Sequence, residues 1–156
     1  MFRWLQHYPH FLEILYDLFE NSLTPLKRWF KPGGWNESMV ITLEKWSKGA
    51  VFNCKMCGQC ILHSTGMTCP MNCPKNLRNG PCGGVREDGH CEVIPERMCI
   101  WVQAWERSQE GIYAHEMGEL QPPVNRALQG SSAWINMAEG IDMEVPPGWV
   151  ALSDVQ

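Results

Sequence analysis

Cys54-Lys55-Met56-Cys57-Gly58-Gln59-Cys60 is the stretch on which this 156-residue chain turns. Three cysteines fall at intervals of two residues, and five more follow, Cys69, Cys73, Cys82, Cys91 and Cys99. All eight lie in the middle third of the chain. Residues 51–92 are dominated by Gly, Pro, Asn and Cys and carry neither a helical nor a strand period. Backbone of that kind has little local reason to adopt one shape, so the sulfur atoms must organise it through whatever they hold.

Two residues between thiolates let a chain wrap a metal cluster corner by corner, with backbone N–H groups turned toward sulfur. Three thiolates so spaced, plus a remote fourth followed by proline, is the bacterial ferredoxin pattern for a 4Fe–4S cluster. Here Cys69-Pro70 and Cys73-Pro74 both qualify as the fourth, although neither lies three residues beyond Cys60. Zinc is the rival, because it takes four thiolates from two closely spaced pairs. Cys57 with Cys60 and Cys69 with Cys73 would serve, but Cys54 is then surplus. Eight cysteines divide into two sets of four. One contains Cys54, Cys57 and Cys60; the other draws on Cys82, Cys91 and Cys99; Cys69 and Cys73 are open to either. The expectation is two 4Fe–4S clusters, the alternative one cluster plus zinc. A later cysteine that remains a buried free thiol is the plainer alternative.

Other residues in the knot invite a role. Gly80-Pro81-Cys82-Gly83-Gly84 suits a tight turn with positive φ, or backbone N–H groups brought close to a cluster sulfur or an anion. It is not a phosphate loop, since no Gly-Lys-Ser/Thr follows. His63 and His90 are candidate zinc ligands or hydrogen-bonding neighbours. Lys75, Arg78, Arg86 and Arg97 would offset thiolate charge or lie on the surface. No Cys–His–Asp arrangement favours thiol catalysis, and carboxylates such as Glu44 and Asp88 have no catalytic context.

The bulk numbers narrow the class. Thirteen basic against 17 acidic residues leave a net charge of −4, which argues against a nucleic-acid partner. The longest apolar region, Phe11 to Phe19, is broken by Glu13 and Asp17, and a membrane span needs about 20 apolar residues. Arg3, His7, Pro9 and His10 do not make a signal peptide. The expected compartment is the cytoplasm, where thiols stay reduced and dense cysteines bind metal rather than pair. Eight tryptophans and nine methionines imply either apolar surface awaiting a partner or large side chains filling a thin core.

The fold class expected is a small, metal-organised domain of helices and irregular chain, with a cysteine-rich core, flanking amphipathic helices and an extended C-terminal tail. Residues 1–50 form a helical docking segment. Within it, Phe11, Leu12, Leu15, Leu18 and Phe19 define a helix from Pro9 to near Asn21, with His10, Glu13 and Asp17 between them. Thr24-Pro25 opens a short turn through Trp29 and Phe30, stopped by Pro32-Gly33-Gly34. Ser38 to Lys48 reads as helix ended by Gly49, or as a short strand. Residues 51–110 form the metal domain and its following helix, Pro95 to Glu110, with Met98, Trp101, Val102 and Trp105 on one face and Cys99 in the first turns. Residues 111–156 are a partner-binding tail, with a helical turn at Val124 to Leu128 and no period from Ala133 to Val150.

The ordered motifs resemble one known family. Cys54-Lys55-Met56-Cys57-Gly58-Gln59-Cys60-Ile61-Leu62, Thr68-Cys69-Pro70-Met71-Asn72-Cys73-Pro74-Lys75, Arg78-Asn79-Gly80-Pro81-Cys82-Gly83-Gly84, Gly89-His90-Cys91-Glu92-Val93 and Cys99-Ile100-Trp101-Val102 are similar to the C-terminal domain associated with methylenetetrahydrofolate reductase, called MetV when it is a separate small subunit. The resemblance covers roughly residues 50–107. It implies that all eight cysteines are cluster ligands, with zinc also proposed for the domain. It further implies a flavin-containing MetF-type barrel subunit as partner, with a further electron-donor subunit beyond it. The chain is too short to hold that barrel, which takes about 250 residues, so it is not the catalytic subunit alone. Accessory electron transfer is thus the leading expectation. A zinc-stabilised assembly module and a free ferredoxin-like carrier are the alternatives.

Overall fold

The computed structural model describes residues 2–23, 34, 36–150 and 154. Among these residues, four α-helices are joined by short 3-10 turns and irregular chain. Among the described residues there is no strand, only two isolated bridges, Val85 with Cys91 and His90 with Met98. No described helix is long and apolar enough to cross a membrane.

Helix α1 (Pro9–Leu23) starts on its proline, whose missing N–H would have no partner there. The turn expected from Thr24 to Phe30, with its stop at Pro32-Gly33, lies outside the described residues. Helix α2 (Glu37–Phe52) resolves the Ser38–Lys48 stretch as helix. It runs through Gly49 rather than ending there. Asn53, in the left-handed region at φ 53°, closes it instead. Its N–H reaches the Gly49 carbonyl at 3.2 Å.

Both helices bury charge beside core carbon and leave other apolar side chains outside. In α1, Glu13 is 1% exposed while Phe11, Ile14, Leu15 and Leu18 are exposed. Glu13 accepts the Ile112 N–H, and Asp17 accepts the Tyr113 hydroxyl at 2.6 Å, so this acidic face holds the loop after α3. In α2, Glu44 and Lys48 are buried while Met39, Leu43 and Trp46 stand in solvent at i, i+4 and i+7. Periodicity located the helices; Leu12 and Phe52 pack in the core beside the buried carboxylates, while the other apolar residues of the same helices stay outside.

Helix α3 (Ile100–Ser108) is shorter than the expected Pro95–Glu110. The residues before it are committed elsewhere. Cys91 N–H bonds the Arg97 carbonyl, and Cys99 N–H bonds that of Gly89, both at 2.9 Å. Cys99 is therefore the residue that precedes the helix, not part of its first turns. A fourth helix, α4 (Ala133–Glu139), lies in a stretch that showed no period. Its start is set by Ser132, whose hydroxyl accepts the Ile135 N–H, and its end by Gly140 at φ 73°. The turn at Arg126–Leu128 matches expectation.

The C-terminal stretch packs on the chain itself. Gln59 accepts the Asn125 N–H at 2.7 Å and donates to the Asp142 carbonyl at 2.8 Å. Asn136 donates to the Gly58 carbonyl at 2.8 Å, and Gln129 to that of Lys55 at 2.7 Å. The tail thereby caps the first cysteine loop, with Ala133, Ile135 and Asn136 buried beneath it.

Two small apolar clusters form the interior. One joins Leu12 and Phe52 to Leu62, Met67 and Met71 around Cys57 and Cys69; the other joins Trp101 and Ala104 to Cys99. Met67 is wholly buried, a contribution of about 1.5–3 kcal/mol. A fully buried strut ties α4 to α2: the Ser132 hydroxyl donates to Glu44 at 2.6 Å while capping its own helix. Ser132→Ala removes both bonds and should lower the unfolding free energy by about 1–3 kcal/mol, read from urea unfolding of the reduced protein. A change too small to measure would show that the strut contributes no net stability.

Candidate metal centres

The eight cysteines separate into two quartets. Cys54, Cys57, Cys60 and Cys69 line one small enclosed cavity. Cys73, Cys82, Cys91 and Cys99 line another. The 3-10 turn Pro70–Asn72 divides the two residues left open by spacing, sending Cys69 to the first cavity and Cys73 to the second. All eight are free thiols, and each quartet has two buried and two half-buried members. Among the described residues no three His, Cys, Asp or Glu side chains are arranged to clasp one metal ion.

The first loop gets its shape from residues with positive φ, Met56 at 50° and Gly58 at 76°. Met56 N–H turns back to the Cys54 sulfur at 3.3 Å. Gly58 is required twice over, since a Cβ there would also come within 2.4 Å of the Leu128 carbonyl oxygen. In the second quartet the two isolated bridges do the positioning, holding Cys91 opposite Val85 and the residue before Cys99 opposite His90. Gly80, at φ 109°, supplies the turn that leads into Cys82.

Burial sets the electrostatics of the first cavity. It pushes the Cys54 thiol up to about 11 and the Cys69 thiol up to about 12, and raises that of Cys57, with neighbouring thiols adding to the effect. Lys48 and Glu44 line the same wall as a buried ion pair at 2.8 Å. Burial opposes the Lys48 charge, but Cys60, Tyr16 and Glu44 outweigh it and hold its pKa above the usual lysine range. The ammonium also lies over the Trp134 ring, 4.7 Å from its centre. At the second cavity the cation is exposed: Lys75 pairs with Glu92 and reaches the Cys82 sulfur at 3.5 Å.

Among the described residues, each cavity wall carries one buried donor without an acceptor. Arg78 Nε borders the first and Trp101 Nε1 the second. An orphaned buried donor costs about 1–3 kcal/mol. A thiolate or sulfide held in each cavity would relieve it, so the donor set and its surroundings fit a thiolate-bound iron–sulfur group. The histidines do not belong to either quartet. His63 bonds Glu116 at 2.9 Å, faces Asp17 at 3.5 Å and packs on the Tyr113 ring; His90 turns to Asp88. Of the four basic residues singled out, Arg78 lines the first cavity, Lys75 and Arg97 the second, and Arg86 neither. Lys48 and the indole of Trp101 escaped notice. The i, i+4 spacing of Glu44 and Lys48 was the available signal.

An open cleft of about 440 Å³ runs between the two walls, lined by Arg78, Pro81, Trp101, Trp105 and Met117 among others. It shares Arg78 with the first cavity and Trp101 with the second.

The family model described as methylene-tetrahydrofolate reductase C terminal matches residues 34–127. The chain belongs to that family. The match takes in α2, both quartets, α3 and the cleft, and stops before α4. No curated protein and no solved structure matches the chain.

The raised thiols have a consequence for the metal-free, reduced protein. In the unfolded chain they ionise near 9.0, whereas in the folded chain Cys54 and Cys69 stay neutral until about 11 and 12. Their contribution to stability is complete below pH 9 and is lost as pH climbs through 11 to 12. The urea midpoint should therefore fall steadily from pH 9 to 11. A midpoint flat over that range would show the thiols to be less secluded than the packing indicates.

Proposed function

We propose that the chain is an accessory electron-transfer component of a methylenetetrahydrofolate reductase-type enzyme, with a 4Fe–4S cluster in each cysteine quartet. One observation carries the reading: eight cysteines sort without remainder into two four-thiol cavities, each with one orphaned N–H donor. Membership of the reductase C-terminal family supplies the enzyme context. Such clusters supply one-electron exchange, at potentials governed by hydrogen bonds to sulfur, nearby charge and solvent access.

The residues of this chain have definable tasks in that role. Cys54, Cys57, Cys60 and Cys69 hold the first group; Cys73, Cys82, Cys91 and Cys99 hold the second. Leu62, Met67 and Met71 keep water from the first, and Val85, Val102 and Trp101 from the second. The Met56 N–H already faces sulfur. Since Cys69 and Cys73 sit at the two ends of one 3-10 turn, at about 2.0 Å rise per residue, the quartets are close neighbours.

The partner is a flavin-bearing reductase subunit of the MetF type, with a further electron donor behind it, in a compartment that keeps thiols reduced. Met39, Leu43 and Trp46 on α2, with Phe11, Leu15 and Leu18 on α1, provide apolar area of the kind a partner covers. Trp105, exposed at the cleft, adds to this, whereas Trp101 is buried and does not. Trp46→Glu should weaken association with such a subunit by at least about tenfold, measured by calorimetry, because it places a charge in a desolvated contact. Unchanged affinity would remove α2 from the interface.

Metal content tests the central reading. Anaerobically purified protein should hold about eight iron and eight sulfide, with visible absorbance bleached by dithionite. Cys57→Ser and Cys91→Ser should each lose about half the iron. Stoichiometric zinc with no iron would overturn the electron-transfer role and favour a structural module. Four iron with one zinc would leave one redox centre.

A further inference from the structure

We infer that Arg78 is the resident counter-ion and sulfur hydrogen-bond donor of the first quartet, and that it makes a cluster held there easier to reduce than one held by the second. The inference rests on the cluster reading above and adds an order to the two sites.

Arg78 is 5% exposed. Its Nη1 donates to the Gln59 carbonyl at 2.9 Å, between Cys57 and Cys60, while its Nε has no acceptor. Among the described residues no carboxylate forms an ion pair with it; Asp142 feels its charge only weakly, its own carboxyl being raised by burial. A guanidinium does not lose its proton inside a protein. Burying one without an anion is costly, so its position beside four thiols implies that the anion is sulfur. The other charged groups on that wall, Lys48 and Glu44, are paired with each other and supply no net charge.

The second quartet differs in charge and in little else. Both quartets have two buried and two half-buried cysteines, so solvent access does not separate them. Both have one orphaned N–H, but the indole of Trp101 is neutral. Lys75 there is exposed and neutralised by Glu92. Arg97 is half-buried, so water still reaches its charge, whereas the Arg78 guanidinium is 5% exposed. Adding one electron makes a cluster more negative, and a fixed buried cation favours that state.

The test is an anaerobic dithionite titration of the full chain, followed by electron paramagnetic resonance, with iron and sulfide counted for each variant. Two one-electron waves are expected in the native protein. Arg78→Met should move the higher wave to lower potential and leave the other in place, and Arg78→Lys should recover part of the shift. Trp101→Phe, which keeps the charge pattern, should move only the lower wave; this variant decides the order if Arg78→Met does not fold. Iron retained with the higher wave unmoved by Arg78→Met, or moved by Trp101→Phe, would overturn the inference while leaving the cluster reading intact. Protein without iron would overturn both.

Discussion

Eight thiols have to be kept inside a protein without pairing, and the rest of the structure follows from that constraint. Between Phe52 and Ile100 only two three-residue 3-10 turns interrupt irregular backbone. Such chain is held by contacts made from outside it. Arg107 on α3 bonds Thr68 and Gln6, each at 2.9 Å, tying the knot to the N-terminal turn. Asn72 bonds the Phe52 carbonyl at 2.9 Å, fixing the end of α2 against the dividing turn. The C-terminal segment closes the remaining side through Gln59 and Asn136. The cysteines themselves serve as core residues in both apolar clusters, so the site and the interior are the same atoms.

That arrangement bears on the charges that α1 and α2 bury. A core made of sulfur needs polar anchors near it, and α1 and α2 provide them with Glu13, Glu44 and Lys48. Buried ions are tolerable only when their hydrogen bonds are filled. Glu44 meets this condition with Lys48 and Ser132, whereas one oxygen of Glu13 remains without a partner. Other apolar side chains of the same helices, Trp46 and Leu18 among them, are left exposed.

The legible part of the sequence was its chemistry and the existence of its helices. Cysteine spacing placed Cys54, Cys57 and Cys60 together, because two-residue intervals allow little else. It could not divide Cys69 from Cys73, since either would serve by spacing and only the turn between them chooses. Helix α1 announced itself by period and proline, but its inward face did not: Glu13 and Asp17 look solvated until Ile112 and Tyr113 are seen to need them. Helix α4 was hidden because seven residues contain less than two full periods, and its capping serine is informative only beside Gly140. The start of α3 was misplaced for the opposite reason. The apolar period continued back through Met98, yet bridges to Gly89 and His90 had a stronger claim on that backbone.

The direction in which the polar groups face bears on the kind of work the domain does. Here Gln59 spends both ends of its amide on the tail, Asn136 on Gly58 and Ser131, and Glu44 on Lys48 and Ser132. The two buried donors left over, Arg78 Nε and Trp101 Nε1, border the sulfur-lined cavities. They are also the residues that those cavities share with the open cleft. The cavities and the cleft therefore meet at one guanidinium and one indole.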